Sequence, residues 1–274
     1  MNVLEVSKQA QILSCLVEGC SMRSTSRLTG AAKKTVERLL VSAGEACLEY
    51  QDKTMRNLTC KLLQVDEIWS FTYCKQRHVP EHMKGEFVGD TWTWIALDAK
   101  TKLIPCFRVD ERNLSAACLF MEDLKKRLAH RVQLTTDGLQ LYVEAVEYAF
   151  GADIDFAQLV KIYANQPSIT QTRYSPPVCI GARKIRVSGQ PERVDVSTSF
   201  IERCNLTLRM SNRRFTRLTN GYSKKVENHR HMLAISMMHY NFCRIHHTLR
   251  VTPAMEAGIS DHVWSLEEVV SLMQ

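Results

Sequence analysis

KLLQVDEIWSF, residues 61–71, is the stretch on which the reading of this chain turns. Leu62, Leu63, Val65, Ile68, Trp69 and Phe71 predict a first β-strand, and Asp66 lies inside it. Downstream, TWTWIAL at 91–97 and residues 103–109 predict two further strands, joined by a tight turn at 98–101. The pattern then alternates: a helical period over 114–128, a short strand at 132–135, a helix over 139–150 and a strand over 156–163. An antiparallel meander followed by strand–helix alternation predicts a mixed α/β sheet. Residues 165–198 hold four of the seven prolines and two glycines, so an irregular insertion is expected there.

Upstream, the first fifty residues read as three helices. Ile12, Leu13 and Leu16 mark the first, Ser21 caps a short second, and Gly30 turns the chain into a third. In that third helix Val36, Leu39 and Leu40 face inward while Lys33, Lys34, Thr35 and Arg38 face outward. A short helix, a glycine turn and a helix opening on Lys-Lys-Thr suit a helix-turn-helix reader of DNA, or an ordinary three-helix bundle. The expected division is therefore an all-α helix-turn-helix domain over 1–56, a catalytic domain over 61–250 and a helical tail over 251–274, opened by Pro253.

Past the insertion comes STSFIERCNLTLRMSNRRFTRL, residues 197–218. Ile201, Cys204 and Leu208 recur at helical spacing as a core stripe, and Glu202, Asn205 and Arg209 form the stripe beside it. An acid, an amide and a guanidinium on one helix flank suit a metal ion and a phosphate chain. The plainer alternative is a capping box, Ser199 with Glu202. A basic connection follows, then a helix over 225–244.

The chain has 274 residues, 45% of them hydrophobic and 24% charged, which is enough apolar mass for a real core. Its formal charge of +7 is concentrated between residues 199 and 250. There, ten Lys and Arg face two acids, Glu202 and Glu227, so the remainder is close to neutral. A confined basic region including Arg209, Arg213, Arg214 and Arg217 resembles a polyanion footprint, the alternative being a merely solvated face. No apolar run is long enough to span a bilayer, and the first residues lack a signal-peptide pattern. Ten cysteines without CxxC pairs fit small residues of a reducing cytoplasm. His239 and Cys243 stand four apart with no second pair, so His229, His231, His239, His246 and His247 read as polar or DNA-proximal residues rather than zinc ligands. Trp69 and Tyr240 read first as core residues, the alternative being stacking groups near distorted DNA.

Asp66 in the first strand and Asp137 just past the fourth, at TTDG, stand where open α/β sheets build their sites. With Glu202 they are able to converge on divalent cations, and such oxygen ligands suit Mg²⁺. Singly, each has a dull role: Asp66 a strand-edge charge, Asp137 an Asx-turn or helix cap. Glu67 and Asp98 are rival ligands, though Glu67 alternates with Asp66 and should point to the opposite sheet face.

QVDEIWSF around Asp66, LTTDGLQLY around Asp137, TSFIERCNLTLRMSNRRFTRLTNGYSKKVENH around Glu202 and HYNFCRIHHTLRVTPAMEAG near the end resemble bacterial insertion-sequence transposases of the DDE class, and more narrowly the insertion-sequence-one-like family. The likeness runs from about Cys60 to the C-terminus. It implies a ribonuclease-H-like catalytic domain that uses Mg²⁺ or Mn²⁺, with Asp66, Asp137 and Glu202 as the metal-binding triad. It also implies double-stranded DNA as partner, both element ends and target, and a homo-oligomer acting on it in the cytoplasm. Such enzymes cut transposon ends by hydrolysis and use the freed 3′-hydroxyl to attack target DNA. A cation seven residues after the glutamate, usual in the wider class, is Arg209 here. Cys204 stands where a polar residue such as Gln is expected, and Leu139 where His is common. A hydrolytic nuclease of the same fold and a DNA-binding regulator with a decayed catalytic domain are the competing expectations.

Overall fold

The computed structural model describes residues 4–164, 178–216 and 219–274. Three helices open it: α1 (Val6–Val17), α2 (Met22–Thr29) and α3 (Lys33–Thr54). Ser21 caps α2 by accepting the Ser24 N–H at 3.1 Å, and Gly30 ends it at φ 70°, a left-handed turn that favours glycine. Val36, Leu39 and Leu40 are buried, while Lys33, Lys34 and Arg38 are exposed. The third helix runs to Thr54, further than its first turns suggested.

A six-stranded mixed sheet follows, in the order β3-β2-β1-β4-β5-β6. The antiparallel part is β1 (Leu62–Thr72), β2 (Gly89–Asp98) and β3 (Phe107–Asp110). β4 (Gln133–Asp137) and β5 (Asp155–Tyr163) run parallel to β1, each reached through a helix, α4 (Leu114–Arg127) and α5 (Leu141–Phe150). β6 (Cys179–Ser188) pairs antiparallel with β5 at the edge. This corrects the expectation of irregular chain over 165–198: exposed on both sides, residues 179–188 lack the burial alternation that makes a strand legible, and they are held by the ladder to β5. Residues 165–177 lie outside the described residues.

Two apolar layers sandwich the sheet. Leu63, Val65, Trp94 and Ala96 face α4 and α5, packing with Phe120 and Tyr142. Ile68, Ile95 and Leu97 face the other way, against Ile201, Cys204 and Leu208 of α6 (Ser199–Ser211) and Leu233 and Met237 of α7 (Val226–Met238). The core stripe predicted for α6 is thus where it was expected. α7 feeds both layers, and its second half, Met232–Met238, is buried all round, as a central helix must be. It ends in one π-helical turn (His239–Cys243), shortening the helix expected over 225–244. Asn241 there is fully buried and gives both amide groups to Ile104, accepting its N–H at 3.0 Å and donating to its carbonyl at 2.9 Å. Because Pro105 has no N–H to offer a ladder, β3 begins only at Phe107 instead of at 103, and Asn241 supplies the missing partner.

The N- and C-terminal helices share the larger core. α1 packs on α9 (Leu266–Ser271), α3 lies along α7, and α8 (Pro253–Glu256) sits against the π turn. No helix among the described residues is long and apolar enough to cross a membrane. The α3–α7 crossing depends on Gly44: a Cβ there would stand 2.3 Å from His231 Cβ and 2.6 Å from its Cα. Backbone cannot swing aside, so Gly44→Ala should cost about 2 kcal/mol of unfolding free energy, read as a lower urea midpoint: overpacking at the upper end of about 1–3 kcal/mol, less the ~1 kcal/mol that alanine gains in a helix. A midpoint equal to or above the parent's would mean that the helices separate without cost.

Candidate metal centre and basic cleft

β1 and β4 are parallel neighbours whose last pair is Val65 with Thr136. The next residues are Asp66, in the middle of β1, and Asp137, the last of β4, where the two strands part. Asp66, Glu67 and Asp137 each bring a carboxylate oxygen to one spot, all within 4.8 Å of one another. Burial, reinforced by the charges of Glu67 and Asp137, pushes the Asp66 carboxyl up to about 7. Three anions this close repel one another unless a proton or a cation lies between them.

Glu67 does point to the opposite face from Asp66, as alternation requires. Its carboxylate accepts from Tyr142 Oη of α5 at 2.7 Å and pairs with Arg112 at 2.6 Å. Beside the end of β4, however, it still reaches the acidic spot, so it joins the cluster that alternation alone would have excluded it from. Burial raises its pKa, with Tyr142 and Arg112 pulling the other way. Asp137 Oδ1 accepts the Leu139 N–H at 2.9 Å, the local Asx-turn its sequence allowed. Gln158 on β5 clamps that turn, donating to the carbonyls of Asp137 and Leu139 at 2.9 and 3.1 Å. The other rival, Asp98, takes no part: its oxygens are used by the N–H groups of Leu62 and Thr101 and by the Thr101 hydroxyl.

α6 delivers Glu202 and Asn205 to the same side of the sheet as Asp66. Glu202 is near enough to help raise the Asp66 pKa, but it is not one of the three acids within 4.8 Å. Instead its Oε1 accepts from Lys161 Nζ on β5 at 2.6 Å and from Thr198 Oγ1 at 2.5 Å. The capping-box alternative is not realised: Thr198, not Ser199, is the N-cap residue, and it caps no helix N–H with its side chain. Asn205 is buried and donates through Nδ2 to Asp66 Oδ2 at 2.8 Å. Its own Oδ1 is buried without a hydrogen-bond partner. An orphaned oxygen beside three carboxylates is a donor set for a hard cation, so the residues present fit Mg²⁺ or Mn²⁺.

The expected DNA-binding residues separate into two groups. Asn205 belongs to the acidic cluster, and Arg209 is half-buried in the last turn of α6. Lys33, Arg213 and Arg214 come together, although 180 residues of sequence separate them: with Arg23 and Lys224 they line a cleft of about 620 Å³ between the starts of α2 and α3 and the chain after α6. Arg214 Nε donates to Ser223 Oγ at 2.8 Å, and no carboxylate pairs with it among the described residues. Lys34, Thr35 and Arg38 lie outside this lining. Arg217 lies outside the described residues.

Two histidines expected near DNA are packing residues instead. His229 is fully buried, edge-on to Phe215, with Nε2 3.3 Å from Ser70 Oγ. Burial, then the charge of Arg214, pushes its pKa down to about 3, so it stays neutral. His231 is the residue against Gly44. Lys161, Tyr142 and Arg112 carry no signal of a role in the sequence, because their parts depend on which strands become neighbours.

No family model matches the chain, and no curated protein matches it. Among solved structures, the Mos1 strand transfer complex aligns with 57% of this chain and 59% of its own, at 10% identity and a TM-score of 0.25. The piggyBac transposase synaptic complex with hairpin DNA aligns with 98% of this chain and 69% of its own, at 9% identity and a TM-score of 0.45. This chain thus spans about 59% of the length of the Mos1 chain.

Proposed function

We propose that this chain is a DNA transposase of the DDE class, insertion-sequence-one-like, that binds the ends of a mobile element and cuts and joins DNA strands with Mg²⁺ or Mn²⁺. The observation that carries the reading is the strand-end cluster of Asp66, Glu67 and Asp137 with the unpartnered Asn205 oxygen beside it. A ribonuclease-H-like reading of the sheet is supported by the antiparallel meander of β1–β3 continued by parallel β4 and β5. Asp66 and Asp137 hold the cations in this reading, and Glu202 joins them from α6. Divalent cations held by these carboxylates would supply Lewis-acid activation of the attacking oxygen and charge stabilisation of the leaving one. Asn205 steadies Asp66, Lys161 and Thr198 orient Glu202, and Gln158 holds the turn after Asp137. Arg209 and the basic cleft hold DNA phosphates, while the outward face of α3 reads the element's ends. The working form is a homo-oligomer on DNA in the cytoplasm.

The deciding experiment incubates purified protein and Mg²⁺ with a duplex carrying the inverted repeats that bracket its gene. Joined products are expected. Nicks without joining would make it a hydrolytic nuclease, and no metal-dependent cutting would sink the enzymatic reading. For the reader helix, Lys34→Ala with Arg38→Ala should weaken binding of terminal DNA. The same pair should flatten its salt dependence by about 0.9 in log–log slope for each phosphate that is no longer neutralised. An unchanged slope would remove α3 from the interface.

A further inference from the structure

A second hollow, of about 400 Å³, opens on the flank of α6 opposite to Glu202 and Asn205. Phe200 and Arg203 of α6 form one wall, Lys102 from the β2–β3 connection another, and Tyr240, Arg244 and His246 at the end of the π turn a third. No aspartate or glutamate lines it. Lys102, Arg203 and Arg244 make no ion pair among the described residues, and Asp98, behind Lys102, is already used by Thr101 and Leu62. The ammonium of Lys102 sits 3.4 Å from the centroid of the Phe200 ring and donates to the Ala99 carbonyl. Lys102 itself has φ 61°, a left-handed conformation unfavourable for a lysine, so backbone strain accompanies this placement. Tyr240 is half-buried, and its hydroxyl makes no hydrogen bond among the described residues.

Like charges gathered around one concavity, with no acid lining it to balance them, make a positive potential that attracts an anion. Burial and the charges of Lys102, Arg244 and His247 all press the His246 imidazole towards its neutral form, which is the electrostatic mark of a cationic pocket. The size and shape narrow the choice. A hollow of this volume encloses one nucleotide-sized group, whereas the convex backbone of a duplex would only cover its mouth. Cations supply the phosphate contacts, and guanidinium planes and a phenol ring supply faces on which a base stacks.

We propose that this pocket receives one unpaired, phosphate-bearing nucleotide of a DNA strand, held between Lys102, Arg203, Arg244 and Tyr240. It rests on the DNA-processing role proposed above and adds a single-strand site to it, on the far flank of the helix that carries Glu202. The segment ending in HYNFCRIHHTLR, whose histidines had no defined part, thereby becomes a strand-holding element.

The test uses the full chain in EDTA, so that the acidic cluster contributes nothing. Its probe is a short, 5′-phosphorylated single-stranded oligodeoxynucleotide containing 5-iododeoxyuridine, compared with a duplex of the same sequence. Arg203 and Arg244 are exposed, and the Arg203→Gln, Arg244→Gln double variant should melt with the parent. Its affinity for the single strand should fall about tenfold or more while duplex affinity barely changes. Irradiation of the parent complex should crosslink the probe to the peptide holding Tyr240 or Phe200, a readout that needs no variant. Unchanged single-strand affinity, or crosslinks confined to other peptides, would overturn the proposal while leaving duplex binding to support the broader reading. Displacement of the probe by poly-glutamate at matched charge would also overturn it, as a general polyanion site. A parent that binds neither single strand nor duplex would defeat both.

Discussion

Asp66→Asn, Asp137→Asn and Glu202→Gln proteins are expected to bind terminal DNA as the parent does, yet to lose Mg²⁺-dependent cutting and joining by more than about a hundredfold each. Each change keeps the size of the side chain and removes the charge a hard cation requires. Glu202→Gln is the sharpest of the three. Its Oε1 would still accept from Thr198 and Lys161, so a residue that merely anchors the start of α6 should tolerate the change with nearly normal activity. Robust strand joining by that protein would remove Glu202 from the metal centre. Glu67→Gln then separates two ligand sets. If Asp66, Asp137 and Glu202 hold the metal, Glu67→Gln should cost stability by breaking its pair with Arg112, while retaining measurable activity. If the three acids within 4.8 Å are the ligands, it should be as inactive as Asp66→Asn.

Relative to the Asp66→Asn protein, in which every other titrating group, the buried His229 included, is unchanged, the metal-free parent should lose stability as pH rises from about 4 to about 8. The folded pKa of Asp66, about 7, lies above the roughly 3.9 of an unfolded aspartate. A raised pKa means that the folded state holds the proton more tightly. The resulting stability is present in full below about pH 4 and is lost as pH passes through about 7. One pKa unit is worth about 1.4 kcal/mol, and allowing for its coupling to Glu67 and Asp137 the effect should be on the order of 2 kcal/mol. In EDTA at pH 8, Asp66→Asn should therefore melt above the parent. Asn205 can turn its Oδ1 to meet the new amide, which moves its Nδ2 to the buried position where Oδ1 had no partner and offsets part of the gain. Adding Mg²⁺ at pH 8 should raise the parent's melting temperature and not the variant's. Parallel pH profiles for the two proteins, with no response to metal, would show that the acids repel too weakly to form a cation site.

Much of this molecule was legible because local patterns coincide with burial. The period of Ile201, Cys204 and Leu208 located the core stripe of α6, and the apolar runs in residues 61–71 and 91–97 located β1 and β2. Ser21 and Gly30 bounded α2 correctly, since a cap and a left-handed turn are chosen by the residue itself. β6 escaped because an exposed edge strand has no buried face to impose a period. The late start of β3 escaped for another reason: the partner that replaces its ladder at Ile104 is Asn241, 137 residues away.

At the site, the sequence by itself determined the chemistry on offer: one aspartate within a strand and another at a strand end, a glutamate, an amide and an arginine on one helix, and cations gathered after residue 199. Tertiary structure alone decided which of these meet. Parallel pairing of β1 with β4 brings Asp66 to Asp137, and the end of β4 beside mid-strand Glu67 lets that residue join them from the other face. Packing of α6 across the sheet sets Asn205 on Asp66, and the β4–β5 pairing supplies Lys161 to Glu202. The docking of α3 along α7 gathers Lys33, Arg213 and Arg214 around one cleft. The physical reason is range: caps, turns and periodicity act within a few residues, whereas Coulomb repulsion, desolvation and hydrogen-bond partners depend on distances that only the packed chain defines.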